Sequence, residues 1–239
     1  MTSAERGGLA IVTIIGRMLL RSVISVILLA SPVACGGGVT PGDGAAVRPI
    51  RYAVYLHGRI AAGGEGAVHP EYGRYAYDEI LAAREAAGFE VVAWRRRADA
   101  DEDAEGARAA GVIDSLVAGV VPARHITLVG ASLGAYIALL AADSLGLGEL
   151  NVVLLAGCSE GVVEYALREG IVPHGRVLAM RDAADTRWAG PCARLFERSA
   201  TGHLSRDSVL ELGVGHGLVY RPYPQWVNAV RQWGISVAD

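Results

Sequence analysis

The segment Gly130–Gly134 has the form Gly-x-Ser-x-Gly and joins two apolar stretches of different character. Residues 125–129 before it are typical of a buried strand, and residues 135–142 after it are typical of a helix. So sharp a strand-to-helix turn requires glycines where the chain passes close to itself, and it strains the serine backbone. The segment therefore predicts that the Ser132 hydroxyl is exposed at the tip of a sheet, facing a helix N-terminus. The alternative is a glycine-rich turn with a structural serine.

The rest of the chain alternates strand and helix patterns, which predicts an α/β fold. We expect a three-layer αβα sandwich with a mostly parallel, doubly wound sheet, forming one domain over residues 49–239. The predicted strands are 52–56, 89–94, 126–129, 151–156, 176–180 and 209–214, and the predicted helices are 78–87, 105–117, 135–142, 161–169 and 224–233.

The first 35 residues have the layout of a bacterial secretory signal. Arg17 and Arg21 precede the apolar run 23–30, and small residues lead to Cys35. A cysteine at this place, followed by the Gly/Pro-rich linker 36–48, predicts an exported lipoprotein, periplasmic or membrane-anchored. Pro32 stands where such signals usually carry leucine, so plain cleavage or an uncleaved anchor remains an alternative.

Composition narrows the classes of function further. The chain is 52% hydrophobic and 20% charged, with a formal net charge of −3, which permits a sizeable core and no broad basic surface. We therefore expect no nucleic-acid partner. Cys158 and Cys192 are either paired with each other in an oxidising compartment or buried as free thiols, and the sequence leaves both open. It leaves the oligomeric state open as well.

A serine hydroxyl needs a base before it can attack, and that base is usually a histidine. Ligands of doubly wound sheets bind beyond the carboxyl ends of the strands, so the base should follow a strand. His216 lies in a glycine-flanked loop directly after the last predicted strand. His203 precedes that strand and is the second candidate, whereas His69 lies upstream, where it would line the site.

The carboxylate that orients the histidine should follow the strand predicted at 176–180. Asp182 and Asp185 are both available there. We favour Asp185, because its loop position allows it to reach His216, and we expect Asp182 to form a cap or to pair with Arg181.

Charge on the attacked carbonyl oxygen requires backbone N–H donors near the serine. Leu133, the residue after the nucleophile, supplies one. Arg59 is predicted to supply the second, from the loop after the first strand, with the His57 side chain supporting that loop.

Four segments together resemble the α/β-hydrolase superfamily. They are His57-Gly58 after the first strand, the pentapeptide around Ser132, the stretch 181–185 with Asp185, and the stretch 215–217 with His216. The resemblance spans nearly the whole chain from Tyr52. It is greatest to small lidless serine esterases similar to dienelactone hydrolases and carboxylesterases.

The resemblance implies Ser132 as nucleophile, Asp185 as acid and His216 as base, acting on a small ester without metal or organic cofactor. Little room precedes Tyr52 for the two extra strands that often open this fold, and residues 159–174 are too few for a large lid. An acyltransferase or a peptidase on the same scaffold, or a non-catalytic binding module, are the alternatives. Aromatic side chains would form the rim of an open site or simply pack in the core: Tyr72, Tyr75, Tyr77, Tyr220, Tyr223 and Trp226.

Overall fold

Eight strands and six helices make up the computed structural model, which describes residues 49–235. The predicted signal sequence, Cys35 and the linker lie outside the described residues. The strands are β1 (Tyr52–Leu56), β2 (Val68–His69), β3 (Gly73–Arg74), β4 (Glu90–Ala93), β5 (Ile126–Ala131), β6 (Asn151–Leu155), β7 (Arg176–Asp182) and β8 (Arg206–Leu210). The helices are α1 (Tyr77–Ala86), α2 (Glu102–Ala118), α3 (Leu133–Leu145), α4 (Glu160–Glu169), α5 (Ala193–Phe196) and α6 (Pro224–Ile235).

Six strands form one sheet in the order β4-β1-β5-β6-β7-β8, and every neighbouring pair is parallel. The two short strands β2 and β3 form a separate antiparallel pair. Because parallel strands end at the same edge, the loops after β1, β5, β7 and β8 come together there.

Both faces of the sheet are covered, as alternating strand side chains require. Val54 of β1 belongs to a buried cluster that includes residues of α2, α3, α4 and α5, while its neighbour Tyr55 belongs to a cluster with residues of α1 and α6 on the opposite face. On that second face the guanidinium of buried Arg84 lies between the rings of Tyr55 and Trp226, at 4.6 and 4.7 Å. The predicted three-layer αβα sandwich with a mostly parallel sheet is confirmed.

Capping extends the helices beyond their predicted starts. The Asp101 carboxylate accepts a hydrogen bond from the Ala104 N–H, so α2 begins at Glu102 rather than at residue 105. Ser159 accepts from the Val162 N–H and starts α4 in the same way.

The last strand differs most from its prediction. We expected residues 209–214, but β8 covers Arg206–Leu210. Gly213 has a φ of +69°, a conformation that does not occur in an extended strand, and the chain turns towards the site from there. The start of β8 is polar, so its sequence does not have the apolar pattern of a strand. Its Asp207 is stabilised by Arg181 of the neighbouring strand β7, whose Nη1 donates to the Asp207 Oδ1 at 3.0 Å.

A disulfide joins Cys158, which follows β6, to Cys192, which precedes α5. This decides between the two states that the sequence left open. Within residues 49–235, no helix has both the length and the apolar character that crossing a bilayer would require.

Candidate active site

The backbone at Ser132 adopts the strained turn that the pentapeptide predicts. Ser132 lies between β5 and α3 with φ 53° and ψ −118°, a left-handed conformation that is rare outside glycine. A Cβ at Gly130 would overlap the backbone of Gly134, and one at Gly134 would overlap the Leu56 carbonyl. The two glycines therefore allow α3 to turn back tightly against β1 and β5, with Ser132 at the tip.

His216 lies within reach of this serine. It sits in the 3-10 helix Gly215–Tyr220 that follows β8, and it is 9% exposed. Its Nε2 is 2.9 Å from the Ser132 Oγ, and its Nδ1 is 2.6 Å from the Asp185 Oδ2. Since a carboxylate only accepts, Nδ1 carries the ring proton and Nε2 is free to accept the serine proton. The three side chains named from the sequence thus lie together in one hydrogen-bonded line.

Asp185 is held in place from several sides. Its Oδ1 accepts a hydrogen bond from the Trp188 N–H at 3.0 Å, which leaves Oδ2 directed at His216. Farther along the same loop, the Gly190 N–H donates to the Cys158 carbonyl at 2.7 Å, next to the disulfide. The loop that carries the carboxylate is therefore fixed to the end of β6.

Asp182 has the first of the two roles expected for it, a backbone cap rather than an ion pair. It does not pair with Arg181; its buried carboxylate accepts from the N–H groups of Ala184, Leu212 and Gly215 at 2.8–3.0 Å. Burial alone would raise the pKa of Asp182, but these hydrogen bonds outweigh it and hold the pKa below its ordinary value. Asp182 thereby fixes the backbone just before His216.

The two predicted oxyanion donors border the same cleft as Ser132. Leu133 is the first residue of α3, and Arg59 is the first residue of the 3-10 helix Arg59–Gly63. First-turn N–H groups have no acceptor within their own helix, so both are available to a ligand. These donors lie after β5 and β1, which are paired neighbours in the sheet.

His57 supports the loop that carries Arg59, as predicted. It is fully buried; its Nε2 accepts from the Arg96 N–H at 2.8 Å, and its Nδ1 donates to the Gly58 carbonyl at 2.7 Å. A side-chain N–H of Arg96 also donates to the His57 carbonyl. Burial lowers the pKa of His57 to about 4, and the positive charges of Arg96 and Arg95 act in the same direction. His57 is thus a neutral structural group, unsuited to act as the base.

Two further histidines, His69 and His203, lie where their positions in the sequence predict. His69 lines the cleft, stacked on Tyr72 with the ring centroids 4.7 Å apart. His203 lies in the 3-10 helix Gly202–Leu204 ahead of β8, at the amino end of the strand. It therefore stands at the opposite edge of the sheet from Ser132.

The cleft above Ser132 has a volume of about 400 Å³ and mostly apolar walls. Of the predicted rim aromatics, Tyr72, Tyr75 and Tyr220 line it. Tyr77 and Trp226 are instead buried in the core, as the packing alternative proposed. The wall residues to which the sequence interpretation gave no role include Ile60, Tyr136, Val162 and Trp188.

Trp188 is the most instructive of the missed residues. An aspartate that accepts from the N–H three residues later forms a local turn, and the spacing from Asp185 to Trp188 is a signal for one. That turn brings the indole to within 6.3 Å of the His216 ring, centroid to centroid.

Comparison with solved structures places this architecture among known folds. A sugar hydrolase from Lactococcus lactis superposes with a TM-score of 0.52 at 13% identity, covering 78% of this chain and 88% of its own. A proposed carboxylesterase from Lactobacillus plantarum gives 0.51 at 14% identity, with 79% and 89% covered. A proposed α/β hydrolase from Agrobacterium tumefaciens gives 0.50 at 15% identity, with 78% and 87% covered. The chain has the α/β-hydrolase fold.

The α/β-hydrolase fold was the family resemblance drawn from the four sequence segments, and at the level of the fold it is confirmed. No protein-family model and no curated protein sequence matches the chain. The chemistry of the site therefore has to be argued from the positions of its own residues.

Proposed function

We propose that this protein is a serine hydrolase that cleaves carboxylic esters. The observation that carries the proposal is the line of two hydrogen bonds, 2.6 and 2.9 Å long, from Asp185 through His216 to Ser132. The strained backbone of Ser132 supports the same chemistry, and so do the N–H groups of Leu133 and Arg59, which border the same cleft. The solved structures of the same fold include a sugar hydrolase and a proposed carboxylesterase, which agrees with a hydrolytic reaction.

The reaction follows from the geometry. His216 Nε2 takes the Ser132 proton as Oγ attacks the ester carbonyl, and Asp185 stabilises the imidazolium that forms. The N–H groups of Leu133 and Arg59 stabilise the negative carbonyl oxygen. His216 then returns the proton to the leaving alcohol, and a water molecule hydrolyses the acyl-enzyme by the same steps.

The cleft supports small or short-chain acyl groups. Its volume of about 400 Å³ lies near the lower end of the ~300–1,000 Å³ usual for small-molecule sites. Its apolar walls favour a hydrocarbon or aromatic acyl group over a charged one.

Two experiments test the proposal together. The folded protein should react with a fluorophosphonate probe and hydrolyse p-nitrophenyl butyrate, and Ser132→Ala should abolish both while circular dichroism remains unchanged. Ser144→Ala, a serine on the same helix α3 away from the turn, is the matched control and should retain both activities. Absence of labelling in the folded wild-type protein would contradict the proposal and favour a non-catalytic binding module.

We also propose that the protein works outside the cytoplasm. The secretory layout of residues 1–35 supports this, and so does the Cys158–Cys192 disulfide, since such bonds persist in oxidising compartments.

A further inference from the structure

A second cavity adjoins the cleft. Its volume is about 590 Å³, and it shares Tyr72, Trp188 and His216 with the cleft. Unlike the cleft, it has predominantly polar walls, built from the segments after β7 and after β8 and from Glu71 and Tyr72 between β2 and β3. The His216 ring therefore stands between an apolar space and a polar one.

The charged side chains around this second cavity differ in whether another charged group already binds them. Arg187 and Arg221 line it with exposed side chains, and within residues 49–235 no carboxylate lies within 4 Å of either guanidinium. The Arg187 guanidinium packs over the Trp188 ring, 4.6 Å from its centroid, and this contact leaves its charge without a counter-ion. Asp185 also borders it, but that carboxylate is buried and bound to His216 and Trp188. Glu71 is the remaining acidic residue there. Once His216 is protonated, it balances Asp185, and the wall carries one net positive charge.

The position of His216 determines which part of a substrate meets that charge. The leaving oxygen takes its proton from Nε2, so the leaving alcohol must lie beside the imidazole ring. Tyr72 and Trp188 flank that ring, with centroids 6.2 and 6.3 Å away. An alcohol that extends past these two rings enters the polar cavity, while the acyl group remains in the apolar cleft.

We propose that the preferred substrate is an ester between an apolar acyl group and an alcohol bearing a carboxylate, with the carboxylate bound by Arg187 and Arg221. The inference rests on the proposed esterase function and adds the leaving-group class to it. Guanidinium groups suit this ligand because their planar N–H pairs match the two oxygens of a carboxylate. The positive wall is strongest when the imidazolium forms, which favours the step in which the alcohol departs.

A matched pair of esters tests the charge directly. O-butyrylglycolate carries the carboxylate, and O-butyrylglycolamide is its neutral counterpart of similar size. At low ionic strength the wild-type protein should show a kcat/KM about tenfold higher for the anionic ester, in line with two partly exposed charge pairs. In Arg187→Gln/Arg221→Gln that ratio should fall to about one.

Charge-matched controls separate a local effect from a general one. Arg198→Gln/Arg206→Gln also removes two exposed positive charges, before and at the start of β8, and it should keep the wild-type ratio. Charge reversal in Arg187→Glu/Arg221→Glu should invert the preference, so that the butyryl ester of ethanolamine becomes the better substrate.

The outcomes distinguish failure of the proposed substrate class from failure of the proposed esterase function. A wild-type ratio near one, or a ratio that Arg187→Gln/Arg221→Gln leaves unchanged, overturns the substrate class even if Ser132 labels with fluorophosphonate. An equal fall of the ratio in the Arg198/Arg206 control overturns it as well, since only net charge would matter. Failure of the folded protein to label at all removes the esterase function and this inference with it.

Discussion

At the scale of single residues, two aspartates three positions apart have separate tasks. Asp185 faces His216 through one oxygen, whereas Asp182 is saturated by backbone N–H groups on both sides of the site. The first holds the His216 imidazole, and the second holds the loop that carries His216. The loop position of Asp185 favoured it as the partner of His216, and a cap was one of the roles expected for Asp182. The hydrogen bonds from Leu212 and Gly215 to Asp182 could not be predicted.

Substitution by asparagine should separate these tasks. Asp185→Asn should lower kcat for p-nitrophenyl butyrate by about 10³- to 10⁴-fold, because the amide no longer fixes the imidazole tautomer, while the melting temperature changes little. Asp182→Asn weakens buried hydrogen bonds to the charged form and should cost about 1–3 kcal/mol of unfolding free energy. Thermal melts and initial rates on both variants give the comparison. A larger kcat loss in a stably folded Asp182→Asn would reassign the acid.

His57 makes a pH-dependent contribution to stability. Its pKa is about 4 in the folded protein, so between the unfolded value of about 6.5 and pH 4 only the unfolded chain takes up this proton. The contribution is therefore fully present above pH 6.5 and is lost as the pH falls to 4, by up to about 3 kcal/mol. Urea unfolding at pH 7.5, 6, 5 and 4 should show this loss in the wild type. His57→Asn should be less stable at pH 7.5 but should lack that part of the decline, and parallel curves for the two proteins would contradict the assignment.

At the scale of elements, the loop between β7 and β8 has the greatest influence on the site. It carries Asp185 and Trp188, and the disulfide ties it to the segment after β6. The cysteines are 34 residues apart, and Asp185 lies between them. The cross-link therefore restrains both the unfolded chain and the position of Asp185.

Removal of the disulfide should affect stability and rate together. Cys158→Ser/Cys192→Ser should lower the unfolding free energy by about 2–4 kcal/mol, as expected for loss of a native cross-link. Because the loop that carries Asp185 loosens, kcat should fall as well. Dithiothreitol should destabilise the wild type but not the double variant, as measured by urea unfolding. Equal stability of the oxidised wild type and the variant would show that the bond does not constrain the fold.

The elements also show where sequence reasoning stops. The Ser132 turn was predictable because its causes are local: two glycines, an apolar strand before them and a helix after. The start of β8 was not, since Arg206, Asp207 and Ser208 have no apolar pattern and their pairing depends on Arg181 of β7. The position of Trp188 in the cleft wall could not be predicted either, because it depends on the hydrogen bond to Asp185 and on the disulfide that hold the loop after β7.

At the scale of the whole molecule, the order of strands and helices determines the three layers and the sheet edge at which the site residues meet. Strand and helix alternation predicted a parallel sheet, and residues after three different strands, β5, β7 and β8, form the Ser132–His216–Asp185 line. The neutral burial of His57, the polar cavity and the position of Arg187 and Arg221 beside it could not be predicted, because each depends on contacts between distant loops.

The proposed location makes a prediction about the full chain. If Cys35 is lipidated, the expressed protein should fractionate with membranes, and Cys35→Ser should release it into the soluble extracellular or periplasmic fraction. Cys158→Ser/Cys192→Ser, which retains Cys35, is the control and should stay with the membranes. Unchanged fractionation of Cys35→Ser would contradict lipidation at this residue.

The site of a covalent adduct tests most directly whether Ser132 is the nucleophile. The protein is treated with a fluorophosphonate, its disulfide is reduced and it is digested with trypsin. The label should be on the peptide of residues 125–168, because trypsin cleaves after Arg124 and after Arg168. Fragmentation should assign the added mass to Ser132 and not to Ser144 or Ser159 of the same peptide. An adduct on another residue, or none on the folded protein, would contradict the account.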